Sequence, residues 1–300
     1  MSSIRTDLAL EARELWQESA KNQTQIRGVI AKEFTMRGFP IHRVEITTHE
    51  GARALGKPIG QYSTLELKGL SRRDEGLFLR AIEALADELR PMLPTGKNGC
   101  VLVIGLGNHE ITPDAVGSRS VEHIMVTRHL VEQMPDLFGA LRQVAALAPG
   151  VLGTTGIESC EIIKSVAGEV KPDCIIVVDA LASRKLSRLC RTIQVTDTGI
   201  VPGSGVGNSR AAITSESMGV PVIAIGVPTV VDITTIFTDI AEEVKIPIPD
   251  EALREFGEQL MVTPKDIDVH ISDVARIVGY AINTVLQDGV SIADMDTFLS

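Results

Sequence analysis

The hydrophobic pattern separates the chain into segments of two periods. Leu8, Ala12, Leu15 and Ser19 fall on one face at helical spacing while Glu11, Glu14 and Glu18 lie on others, which predicts a short amphipathic helix. Residues 39–48 and 59–67 alternate as strands do, with Gly51, Gly56 and Lys57-Pro58 breaking the chain between them, and together predict an antiparallel pair. Residues 72–90 carry Phe78, Ile82, Leu85 and Leu89 on one stripe and stop at Pro91, the signature of a helix. Val101, Leu102, Val103 and Ile104 are apolar without alternation, as expected of a strand buried on both faces. A helix is predicted over 115–133, residues 141–147 fit either strand or helix, and 156–167 reads as helical. A second apolar run, 174–178, ends in Asp179 and precedes a basic stretch with Arg184, Lys185 and Arg188 that also reads as helical. Residues 193–195 and 220–225 are further candidate strands, separated by a loop at 201–208. Last, Ile267, Ile271, Val274, Val278, Ala281 and Val285 step by four and three behind Thr263-Pro264 and predict the longest helix.

Buried strands alternating with helices imply a three-layer α/β fold: a mostly parallel central sheet with helices on both faces, plus an added amino-terminal antiparallel layer. No internal repeat and no Ser- or Pro-rich linker divides the 300 residues, so one large domain is expected. Composition narrows the function. A net charge of -10 and an aromatic share of 3% argue against direct nucleic-acid binding, which needs clustered Lys and Arg or stacking platforms. Cys100, Cys160, Cys174 and Cys190 lack CxxC spacing and read as reduced core residues of a cytosolic protein rather than a zinc site. No apolar run approaches the length of a membrane span, and the charged amino terminus is unlike a signal peptide.

The candidate chemistry sits at strand ends, where ligands gather in open α/β sheets. Asp114 and Asp179 each follow a buried run, and adjacent parallel strands would bring their carboxylates to one rim of the sheet. Like charges a few ångströms apart raise one pKa, so one carboxylate can activate water as a base while its protonated partner polarises a carbonyl. Aspartate also caps helices, and spacing alone leaves that role open for both residues. The turn Gly105-Leu106-Gly107-Asn108 lacks the third glycine of a dinucleotide fingerprint, and the region about 20 residues on offers only Glu132 to hold a ribose. Neither this turn nor Gly203-Ser204-Gly205-Val206-Gly207 is a Walker loop. His109 is the histidine placed to reach the site, since His123 and His129 are six apart and off the i, i+4 pairing that shared ligation prefers. No GxSxG elbow surrounds Ser204, Ser209 or Thr154-Thr155.

Five stretches carry a longer pattern: Val101-Leu-Val-Ile-Gly-Leu-Gly-Asn108, Thr112-Pro-Asp-Ala-Val-Gly117, Val178-Asp-Ala-Leu-Ala182, Asp197-Thr-Gly-Ile-Val-Pro-Gly-Ser-Gly-Val-Gly-Asn208 and Gly219-Val-Pro-Val-Ile-Ala-Ile-Gly-Val-Pro-Thr-Val-Val-Asp232. Over nearly the whole chain, from Arg5 to the last helix, the sequence resembles the germination proteases of endospore-forming bacteria. The resemblance implies a self-processing endopeptidase zymogen that starts the degradation of small acid-soluble spore proteins in the forespore and spore core and assembles as a homotetramer. It maps the family's proposed catalytic pair onto Asp114 and Asp179 and places propeptide cleavage between Asp7 and Leu8, within Arg5-Thr6-Asp7-Leu8-Ala9-Leu10-Glu11. Residues 1–7 would then be the propeptide and 8–300 the protease domain. Gly105, Gly107, Asn108, His109, Gly203, Gly205 and Gly207 are expected to border the site, and no cofactor is expected. The family's fold is in turn similar to that of hydrogenase-maturation endopeptidases, whose equivalent turn and acids bind nickel, so a metal-dependent maturation protease is the alternative.

Overall fold

The computed structural model describes residues 6–19, 26–69, 74–94, 99–245 and 260–299. Its strands are β1 (Val29–Met36), β2 (Phe39–Ile46), β3 (Gly60–Glu66), β4 (Val101–Gly105), β5 (Val144–Leu147), β6 (Cys174–Ser183), β7 (Thr192–Thr196), β8 (Val222–Asp232) and β9 (Met261–Val262). They form one sheet in the order β1-β2-β3-β7-β8-β6-β4-β5, with β9 pairing with β8. The strands β5, β4, β6 and β8 run parallel. The strand β7 joins β8 antiparallel and carries the antiparallel amino-terminal strands β3, β2 and β1 on its far edge.

The unbroken apolar runs lie in the middle of this sheet because both faces there are covered. Val101 and Val103 of β4 and Ile176 and Val178 of β6 point to one face, packed beneath the helices Glu75–Leu89 and Ile267–Leu286. Their neighbours Leu102, Ile104, Ile175 and Val177 point to the other, against Cys160 and Ile163 of the helix Ser159–Val170. Alternation along each strand thus divides the aliphatic residues between two cores, and the three layers follow. The helix Ile267–Leu286, which we call the terminal helix although a short helix, Ile292–Leu299, follows it, buries its whole predicted stripe. The strand β1 carries no clean apolar alternation, because both of its faces are half exposed at the sheet edge, and the sequence pattern passes over it.

Three expectations change. The helix expected over 115–133 is two helices, Val116–Val121 and Arg128–Gln133. Polar groups of the terminal helix hold the break. Buried Asn283 accepts the Met125 N–H (3.0 Å) and donates to the His123 carbonyl (2.8 Å), and buried Gln287 donates to Thr127 Oγ1 (3.4 Å). The basic stretch after Asp179 is not a helix but the end of β6 followed by a single turn, Leu186–Arg188. Nor do the glutamates of the first helix, Ala9–Ser19, face only water. Glu14 pairs with Lys185 and Arg188, Glu18 with Arg184, and fully buried Glu11 with Arg188 (3.0 Å).

The Asn283 clamp yields a stability prediction. Asn283→Ala strands a buried N–H and a buried carbonyl, so urea unfolding should find a loss of about 1–3 kcal/mol. An unchanged midpoint would mean that the clamp is not what sets the break.

Candidate functional site

The two aspartates reach one cavity by different local routes. Asp114 ends a single turn, Thr112–Asp114, after β4, and the helix Val116–Val121 follows with Ala115 at its N-cap and no side-chain cap. Its carboxylate turns back instead, and Oδ2 accepts the Asn108 N–H at 2.7 Å. This closes the glycine turn on itself. Gly107 sits at φ +96°, where a side chain would be strained, and a Cβ there would lie 1.9 Å from the Asp114 carbonyl oxygen. The glycine therefore permits the backbone approach that aims Asp114 at the sheet.

Asp179 lies inside β6 rather than beyond its end, because that strand runs on to Ser183. It faces Gly226 of β8, which in turn faces Gln194 of β7. Residues opposite one another on neighbouring strands share a face, so Asp179 and Gln194 flank Gly226, over which the Leu181 side chain packs. Asp7, Gly107, Asn108, Asp114, Asp179 and Arg210 are among the residues lining a cavity of about 560 Å³ at this place.

Electrostatics separate the two acids. Burial raises the Asp179 pKa well above the ordinary carboxylate value, and the nearby charge of Asp114 adds to it. A hydrogen bond from the Ala180 N–H (2.9 Å) opposes this shift and the Asp7 charge reinforces it, both more weakly. Burial also raises the Asp114 pKa, against the Asn108 N–H, which favours its ionised form. Burial thus favours the protonated form more strongly at Asp179 than at Asp114, whose carboxylate keeps a backbone donor.

The expected site residues divide. Gly107, Asn108, Gly203 and Gly205 line the cavity with both aspartates. Gly105 packs under the backbone of Gly117, where a Cβ would lie 2.2 Å from its carbonyl oxygen. The exposed His109 side chain points to Glu122 (3.7 Å), and neither His109 nor Gly207 is among the residues that line the cavity. Among the described residues, no group of three or more His, Cys, Asp or Glu is arranged to hold a metal ion. Leu8 is fully buried, and Asp7 enters the cavity wall.

Sequence reasoning missed Gln194, Ser204 and Lys57 as partners of the amino-terminal segment. Gln194 accepts the Ala9 N–H (2.8 Å), Ser204 Oγ donates to Asp7 (2.7 Å), and Lys57 Nζ donates to the Thr6 carbonyl (3.2 Å). These contacts span 51 to 197 residues of chain, and no local pattern marks them. The one available signal was a glutamine in the middle of an otherwise β-branched strand, Thr192–Thr196.

The raised Asp179 pKa fixes the sign of a pH effect on stability. A carboxyl whose pKa is higher folded than unfolded stabilises the fold fully below its unfolded value, near 3.8, and that contribution is lost as pH rises through the folded value. Asp179→Asn removes this loss. Thermal melting should find the variant at least as stable as the parent at neutral pH, with the difference vanishing in acid. A variant that melts lower at pH 7 but not in acid would contradict the assignment.

The family profile described as germination protease matches residues 9–245 and 239–299. The chain is 47% identical to the germination protease of Caldanaerobacter subterraneus subsp. tengcongensis, over 99% of this chain and 98% of that one. It is 41% identical to the germination protease of Clostridium tetani (99% and 100%) and 38% identical to that of Priestia megaterium (96% and 95%). Among solved structures it is similar to the [NiFe] hydrogenase maturation protease HycI of Thermococcus kodakarensis, at 16% identity over 66% of this chain and 98% of that one. The TM-score of that pair is 0.37, too low to carry any functional inference. Full-length identity to several germination proteases, together with the family profile, shows that this chain belongs to the germination protease family of peptidases.

Proposed function

We propose that the chain is a self-processing endopeptidase in which Asp114 and Asp179 together activate water against a peptide carbonyl. Ionised Asp114 takes a proton from the water as its oxygen bonds to the carbonyl carbon. Protonated Asp179 donates to the carbonyl oxygen, and the tetrahedral intermediate breaks its C–N bond as a proton passes to the departing amine. The observation that carries this reading is buried Asp179, its pKa raised by burial and by the charge of Asp114, in a cavity that Asp114 and Asp7 also line. Neither carboxylate alone supplies both an acid and a base near neutral pH.

Cleavage after an acidic residue follows from the same cavity, since the chain's own Asp7 occupies its wall. The bond to be cut in self-processing is Asp7–Leu8, which makes residues 1–7 a propeptide and 8–300 the protease. The substrates in this reading are small acid-soluble spore proteins, whose flexible chains can lie extended along the cavity, and the setting is the core of the spore. Assembly as a homotetramer belongs to the same proposal. The terminal helix buries its apolar stripe within its own chain, so that stripe is not the surface for assembly.

Asp114→Asn and Asp179→Asn should each lower self-processing, and cleavage of a peptide with an acidic-apolar-Ala-Ser-Glu sequence, by at least about 100-fold. Mass spectrometry of the chain's own amino terminus and of the peptide measures both, with circular dichroism showing an unchanged fold. Retained cleavage by either folded variant would overturn the pair.

A further inference from the structure

The contacts of residues 6–9 go beyond burial of a terminus. Asp7 is held to β6 by one backbone and one side-chain hydrogen bond: its N–H donates to the Ala182 carbonyl at 3.0 Å, and the Ala182 N–H donates to Asp7 Oδ2 at 2.9 Å. The other carboxylate oxygen, Oδ1, accepts Ser204 Oγ at 2.7 Å. Both oxygens of one acidic side chain are thus held by donors from two separate elements. The fit is close. A Cβ on Gly205 would stand 2.0 Å from Asp7 Oδ2, so the carboxylate uses the space that this glycine leaves.

Gln194 spans the next bond. Its Nε2 donates to the Asp7 carbonyl oxygen (3.4 Å), and its Oε1 accepts the Ala9 N–H at 2.8 Å. One side-chain amide therefore grips the chain on both sides of the Asp7–Leu8 peptide bond. It does so from a strand position level with Asp179, on the other side of Gly226. Gln194 is itself buried, so its donor faces the carbonyl with little competition from water.

We infer that Ala182 N–H, Ser204 and the space over Gly205 form the subsite that selects the acidic residue of a substrate, and that Gln194 positions and polarises the carbonyl to be cleaved. This rests on the reading that cleavage falls after an acidic residue at Asp7–Leu8. In a substrate bound as residues 6–9 are, the carboxylate before the cut takes the two donors now on Asp7. The carbonyl oxygen, which gains negative charge as water adds, keeps the Gln194 N–H. A neutral small residue in the same place would leave Ser204 and the Ala182 N–H without an acceptor.

A double-mutant cycle on self-processing of the full chain tests this, with the rate of Asp7–Leu8 cleavage read by mass. Ser204→Ala should slow the parent by about tenfold or more, the loss expected for a hydrogen bond to a charged group. It should have little effect in an Asp7→Ala background, where the carboxylate is already gone. Gly205→Ala should slow the parent more than the Asp7→Ala background, where the added Cβ still meets Ala182 Cβ (2.7 Å) but no longer the carboxylate. Gln194→Ala should instead slow both backgrounds by the same factor, because the carbonyl is present in each. Equal slowing by Ser204→Ala in both backgrounds, or parent rates in all three variants, would overturn the inference. Melting temperatures are compared alongside, and if Gln194→Ala does not fold, the exposed Ser204 arm decides alone. A parent chain that never cuts Asp7–Leu8 would instead remove the underlying reading, and this one with it.

Discussion

Placing a carboxylic acid in the middle of a buried strand is the constraint on which the rest of the site depends. Asp179 lies among Val178, Ile176 and their neighbours, where an ionised carboxylate is costly unless paired with donors or a counter-charge. It receives one backbone N–H, from Ala180, and a like charge nearby. The environment therefore favours its protonated form and makes Asp114 the place where negative charge can reside. The close backbone turn at Gly107 and the short helix behind Asp114 bring the second carboxylate to this placement.

The amino-terminal segment is coupled to the same strand from the other end. Glu11 is buried and accepts from Ser183 Oγ (3.0 Å), from the Arg184 N–H (2.6 Å) and from the Lys185 N–H (3.1 Å), which fixes the stretch just past Ala182. Removing one partner from a buried charged network costs far more than an exposed pair would. A cut between Asp7 and Leu8 would leave Glu11 on the body of the protein, so the strand that carries Asp179 keeps its anchor after processing. The acidic face of the first helix is thus a structural part of the site.

Much of the fold was legible because it rests on local periodicity. The runs at 101–104 and 174–178 are buried on both faces, the terminal stripe is a helix, and the antiparallel pairing of β2 with β3 follows from their alternation. What failed depended on distant partners. The helix expected over 115–133 is broken where Asn283 and Gln287 bond to it from about 160 residues further on. The basic stretch at 184–188 had helical composition, yet its charges are taken up by the first helix and by Asp239. For the site, Asp114 and Asp179 were legible as acids beside buried runs, whereas Gln194 and Ser204 were not, since their partners lie on a segment nearly 200 residues earlier. His109 was drawn in by proximity in sequence alone, and its side chain turns to Glu122.

The central claim is that one carboxyl holds a proton while the other is ionised, and the pH dependence of self-processing tests it most directly. Two coupled groups titrate as a pair, so the rate should follow a bell with two apparent pKa values that belong to the pair. The alkaline limb should lie well above the ordinary aspartate range, because burial raises the Asp179 pKa and with it the upper value of the pair. A rate that rises once with pH and then stays level through the alkaline range would contradict the account, since no protonated carboxyl would then be required.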